Sequence, residues 1–87
     1  MIDVKNAVGI AIRFIKEMYS DTDIPGLLLE EAEFDPEAKV WLITIGFDRP
    51  GRASAIQTIA GAAPPRAYKI IRIDAEKGEI LSLKIRE

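Results

Sequence analysis

The stretch AYKIIRIDAEKGEILSLKIRE, Ala67 to Glu87, decides how the rest of the chain is read. It holds two apolar-rich runs, Tyr68–Asp74 and Glu79–Ile85, separated by Ala75-Glu76-Lys77-Gly78. Both runs are short, rich in β-branched residues and bounded by turn-formers, as strands are. Gly78 stands where a tight loop needs positive φ. The pattern therefore predicts a β-hairpin with a three-residue loop, Glu76-Lys77-Gly78, closed by a glycine bulge. In that register Ile73 faces Leu81 and Ile71 faces Leu83. One side of the hairpin carries Ile71, Ile73, Leu81, Leu83 and Ile85. The other carries Ile70, Arg72, Asp74, Ile80, Ser82 and Lys84. Asp74 is placed to brace the turn with its carboxylate.

Upstream, Lys39–Phe47 is the strongest single strand. Trp41, Ile43, Ile45 and Phe47 alternate with Val40, Leu42, Thr44 and Gly46, so both faces are largely apolar. Such a strand belongs in the middle of a sheet. Leu27–Phe34 reads as its neighbour, with Asp35-Pro36-Glu37-Ala38 as the turn between them. By strict alternation Leu28, Glu30, Ala32 and Phe34 share one face, and Leu27, Leu29, Glu31 and Glu33 the other. Three glutamates in one short strand suit an edge, where charge discourages pairing with another chain.

The N-terminal segment is an amphipathic helix over about residues 3–19. Asp3 is its N-cap, and Val4, Ala7, Val8, Ala11, Phe14, Ile15 and Met18 form one stripe at 100° per residue. Ile12 and Tyr19 border that stripe, and Ile10 lies off it. Between the second and third strands runs a connection of residues 48–66, in which Ala53–Ala63 has the makings of a short helix. The expected fold is α+β: one helix on a four-stranded antiparallel meander, with strands at about 27–34, 39–47, 67–74 and 79–86. One helix hides one sheet face. The apolar groups left on the other face predict a cover, supplied either by Ala53–Ala63 folded back or by a second copy of the chain.

Eighty-seven residues are enough for one domain with a modest core, and 48 % hydrophobic with 30 % charged residues is a globular balance. The start of the chain shows no basic leader with a cleavage site. No run approaches the ~18 apolar residues of a membrane span. A cytoplasmic location without membrane partners is the expectation. Charge is uneven. Residues 1–48 carry four basic and ten acidic side chains, and residues 49–87 carry eight and four.

The chain has no histidine and no cysteine. That excludes Ser-His-Asp and Cys-His catalysis, disulfides, and zinc or haem sites built on those ligands. No cofactor or metal is expected. The acidic residues Glu30, Glu31, Glu33, Asp21 and Asp23 read as solvated surface. Arg49, Gly51, Arg52, Ser54 and Arg66 are the candidate anion-binding residues. The loop from Arg49 to Ser54 lacks the spacing of a phosphate loop and is better explained as an ordinary exposed loop solubilised by its arginines. A basic run from Arg49 to Arg72 with Tyr68 as the one aromatic nearby gives poor grounds for nucleic-acid binding in a chain of pI ≈ 5.2. Tyr68, Ile70 and Ile80 are the candidate interaction surface. Trp41 reads as core.

The segment Tyr68–Leu81, with Ile73-Asp74-Ala75-Glu76-Lys77-Gly78 at its centre, resembles the closing hairpin of PepSY-type domains, which end in strand, Asp-Ala-x-x-Gly-x, strand. The helix and four strands together resemble the wider cystatin-like α+β group. The resemblance implies a non-catalytic binding or inhibitory module. Its inhibitory form is not carried over, because Phe34–Lys39 departs from the Gln-x-Val-x-Gly hairpin of cystatins. The expected role is thus a protein-interaction module, binding another protein or a second copy of itself. The alternative is a small-molecule or anion-binding protein using the basic 49–66 connection. No enzymatic activity is expected.

Overall fold

A computed structural model describes residues 1–21, 24–48 and 66–86. The order is α1 (Val4–Met18), β1 (Leu28–Asp35), β2 (Val40–Asp48), β3 (Arg66–Asp74) and β4 (Ile80–Arg86). The strands form one sheet in the order β1-β2-β3-β4, each antiparallel to its neighbour. The expected α-β-β-β-β architecture is the observed one. The Ala53–Ala63 helix lies outside the described residues.

The helix starts because the Asp3 carboxylate accepts a 2.8 Å hydrogen bond from the Asn6 amide, satisfying one of the first free N–H groups. Ala7, Ala11 and Ile15 are its fully buried positions. The two alanines let the helix backbone lie close to the sheet. Val4 and Met18, the expected ends of the apolar stripe, are exposed. Ile10, the expected misfit, packs against the core and covers the β3–β4 turn at Gly78.

Both ends of the helix are fastened to β2. Ahead of it, the Trp41 indole donates to the Ile2 carbonyl at 3.1 Å. Behind it, the Tyr19 ring leans on Phe47, with centroids 5.4 Å apart. The helix therefore runs along β2 in the same sense as that strand. Beneath it lie Ile43, Ile45, Phe47, Ile71 and Ile73, which with Ile15 are the large fully buried side chains. Burying each contributes about 1.5–3 kcal/mol before the cost in chain entropy.

The two hairpin turns are built alike. Asp35 Oδ1 accepts from the Glu37 and Ala38 amides, and Asp74 Oδ1 from the Glu76 and Lys77 amides. Each turn ends in a left-handed residue: Lys39 at φ 55 and Gly78 at φ 73. The bracing by Asp74 and the positive φ at Gly78 follow the sequence pattern. The expected three-residue loop does not. Asp74 pairs with Glu79, which leaves Ala75 inside the loop, fully buried. The Ala75 amide donates to the Lys39 carbonyl of the other turn, and its carbonyl accepts from Ile2.

That displacement changes the hairpin register. Ile71 faces Leu83 as expected, but Ile73 faces Ile80, not Leu81. The extra residue is absorbed as a bulge at Leu81. Ile80 thereby moves to the helix side, where it packs against the core. A second bulge lies in β1. Leu29 pairs with Ile45 and Glu31 with Thr44, so Glu30 has no partner across the ladder. The strict alternation expected for β1 is broken there. Leu27 and Leu29 join Ala32 and Phe34 on the helix side, and Leu28, Glu31 and Glu33 fall on the outer face.

Candidate binding surface of the sheet

The outer face of the sheet carries Val40, Leu42, Thr44 and Gly46 in its second strand and Arg66, Tyr68, Ile70, Arg72 and Asp74 in its third. Two of the three predicted interaction residues, Tyr68 and Ile70, are here. The third, Ile80, is not, because of the register change. Ile70 is half-buried and Tyr68 is exposed at 36 %.

Part of this face is roofed by its own charged side chains. Arg66 donates through Nη1 to Asp48 Oδ1 at 2.9 Å. Through Nη2 it donates to Glu30 Oε1 at 3.1 Å and to the Gly26 carbonyl at 3.0 Å. Gly46 makes the space for this: a Cβ there would stand 2.7 Å from Glu30 Oε1 and 2.9 Å from Arg66 Nη2. The bulge in β1 brings Glu30 over Gly46. Gly26, at φ 71, lets the preceding turn close on Asp48, whose amide donates to the Pro25 carbonyl at 2.8 Å. A longer contact, 3.5 Å, joins Arg86 of β4 to Glu31 of β1 across the same face. Thr44 beneath is only 3 % exposed. Ionic side chains lying flat on a sheet exclude water from it as methylene stems do elsewhere. The choice between the connection and a second copy as the cover is therefore incomplete: the strands supply some cover themselves.

Arg66 is the one predicted anion-binding residue within the described regions, and both of its guanidinium ends are taken by carboxylates. Burial alone would lower its pKa. Its hydrogen bonds to the Glu30 and Asp48 carboxylates, and their charge, outweigh that and hold it above the ordinary value. A folded pKa raised above the unfolded one stabilises the fold at every pH below both. This contribution is lost only in strong alkali. Arg49, Gly51, Arg52 and Ser54 lie outside the described residues. The basic run is also divided between faces: Arg66 and Arg72 belong to the outer face, and Lys69, which faces Ile45 and Ile85, to the helix side.

At the end of the sheet where β3 begins and β4 ends, a cleft of about 330 Å³ opens between helix and strands. Phe47, Ala67 and Ile85 supply its apolar surface, and Tyr68, Lys69 and Arg86 its polar rim, with Tyr19 closing one side. Among the described residues no carboxylate lines it. Ile85 is 65 % exposed although it stands on the helix side, because α1 lies on β2, with β1 and β3 flanking. The alternation in 79–86 contains this residue but gives no sign that the helix stops short of it. That depends on the lateral position of the helix.

Among the described residues there is no group of three or more acidic residues placed to hold a metal ion, and no helix is long and apolar enough to cross a membrane. No family model matches the chain, and no curated protein or solved structure is significantly similar to it.

Proposed function

We propose that the protein is a non-catalytic interaction module that holds a partner, either another protein or a second copy of the chain, on its sheet. The observation that carries this reading is the exposure of Tyr68 and Ile85 beside the cleft over Phe47, where the described rim holds cations and no acid. Exposed apolar side chains gathered at a cleft are the usual mark of a contact surface. The absence of histidine and cysteine from the chain and the use of Glu30, Asp48 and Arg66 in mutual pairing support a binding role over a catalytic one. The likeness to PepSY-type and cystatin-like domains and a cytoplasmic location are parts of the same proposal. The likeness rests on the order of elements and the hairpin sequence, and the location on a composition without cysteine, which suits a reducing compartment.

The test is a Tyr68→Ser/Ile85→Ser double variant. Both side chains are exposed, so its melting temperature should stay close to that of the parent. Quantitative affinity capture from the native cell should lose the proteins that the parent retains. A variant that keeps the same partners at the same yield removes the reading. For self-association, light scattering over a concentration series is the direct measurement, with Ile70→Glu as the disrupting change. Ile80→Glu, which simple alternation makes equivalent, would open the core instead.

A further inference from the structure

The two edges of the sheet are chemically unlike, and the difference names a partner. The β1 edge is acidic and bulged at Glu30, with Glu31 and Glu33 on the outer face. The β4 edge is basic. Lys84 and Arg86 stand on its outer face, opposite Ile70 and Tyr68, while Leu83 and Ile85 stand on its helix side, opposite Ile71 and Lys69. No described strand pairs with the outer side of β4. Below its bulge at Leu81, β4 is regular through Arg86. The cleft adjoins this segment and shares Ile85 and Arg86 with it.

From this we infer that β4 is a docking edge for an extended segment of another protein in which acidic and apolar residues alternate. The inference rests on the interaction-module reading and specifies its partner. Backbone hydrogen bonds along Ser82–Arg86 would add the segment as a fifth strand. Its acidic side chains would meet Lys84 and Arg86 on the outer face. Its apolar side chains would cover Leu83 and Ile85 on the helix side, the last of them reaching the cleft. A free small ligand fits less well, because the cleft is rimmed by exposed residues and cannot enclose it on most sides.

A second copy is the poorer occupant on the same grounds. Two β4 edges brought together place four cations on one face, which costs stability. The acidic β1 edge of another copy has the right alternation only from Glu31 to Asp35. The bulge at Glu30 ends that run on its N-terminal side, and Glu30 already pairs with Arg66 of its own chain.

The probe is a short peptide of alternating glutamate and isoleucine, titrated into the whole protein and followed by amide chemical shifts and hydrogen exchange. The expected result is shifts and slowed exchange across Leu81–Arg86, weakening as salt is added. A lysine–isoleucine peptide should leave the spectrum unchanged. The Lys84→Glu/Arg86→Glu variant should bind the acidic peptide at least about tenfold more weakly. N-methylation of alternate peptide amides should abolish binding without any change to the protein, which keeps the test decisive if that variant folds poorly. Shifts centred on β1 or on Leu42 and Ile70, equal binding of both peptides, or no response overturn the proposal. So do concentration-dependent shifts on β1 and β4 without peptide, which assign the edge to a second copy. If the peptide fails while the Tyr68→Ser/Ile85→Ser variant still loses its captured partner, the edge assignment falls and the interaction module stands.

Discussion

The two central strands and the two edge strands share the same alternating code, yet they obey it differently. In β2 and β3 the pairing runs without interruption from Val40 opposite Asp74 to Asp48 opposite Arg66. Every residue lies on the face its parity assigns. In β1 and β4 one extra residue, Glu30 and Leu81 respectively, breaks the parity. A central strand is held by ladders on both sides, so an inserted residue would disturb two sets of hydrogen bonds. An edge strand has one ladder and can let a residue out toward solvent. Each bulge accommodates a tertiary contact: Glu30 over Gly46 toward Arg66, and Ala75 inward toward Lys39 and Ile2.

The sharpest contrast in energy is between centre and edge. Ile71→Ala, at a fully buried central position, should lower unfolding free energy by about 3–4 kcal/mol in urea titration. Ile85→Ala at the edge should change it by less than about 0.5 kcal/mol. Equal losses would mean that β4 is covered in solution. The next comparison tests the bulge directly with two adjacent residues. Ile80→Glu should cost about 2–3 kcal/mol, because it drives a carboxylate against the core. Leu81→Glu, at a position 49 % exposed, should cost under about 0.5 kcal/mol. The reverse order would restore the uninterrupted register and rule out a bulge at Leu81.

A smaller effect separates the two turns. Gly78→Ala should cost about 1 kcal/mol, because an L side chain is disfavoured at φ 73. Lys39→Gly should stabilise by a few tenths of a kcal/mol up to about 0.5 kcal/mol, since relief of the left-handed strain at φ 55 is partly offset by glycine's chain entropy. Thermal melts of the two variants moving in opposite directions are the check. Smallest of all, Arg86→Ala should shift stability by no more than about 0.3 kcal/mol in the absence of a partner. Its 3.5 Å pair with Glu31 joins two half-exposed side chains. A larger loss, reduced by added salt, would show that the ionic roof holds the sheet more firmly than its geometry implies.

Much of the fold was legible because its signals are local. Asp3 before a helical stripe, Asp74 with Gly78, and the doubly apolar run from Val40 to Phe47 each carry their structural meaning within a few residues. The β1 bulge also left a trace: the apolar residues change parity between Leu29 and Ala32, with two glutamates at the change. The β4 bulge left only the adjacent apolar pair Ile80-Leu81, which does not say which of the two turns inward, since Leu81, Leu83 and Ile85 alternate without fault. The surface was harder still. The outer-face position of Tyr68 and Ile70 follows from parity. The burial of Ile80, the engagement of Arg66 by Glu30 and Asp48, and the exposure of Ile85 do not.

By itself the sequence determined the kinds of element, their order, the centre of the sheet and the absence of histidine or cysteine chemistry. All of these depend on residue type and short-range period. Only the tertiary structure decided which of Ile80 and Leu81 enters the core, where the charged side chains lie and how far the helix reaches across the strands. Those outcomes depend on contacts between residues tens of positions apart, such as Ala75 with Ile2 and Lys39, and Arg66 with Glu30. Local alternation carries no record of such pairings, and one inserted residue at an edge is enough to exchange the inner and outer sides.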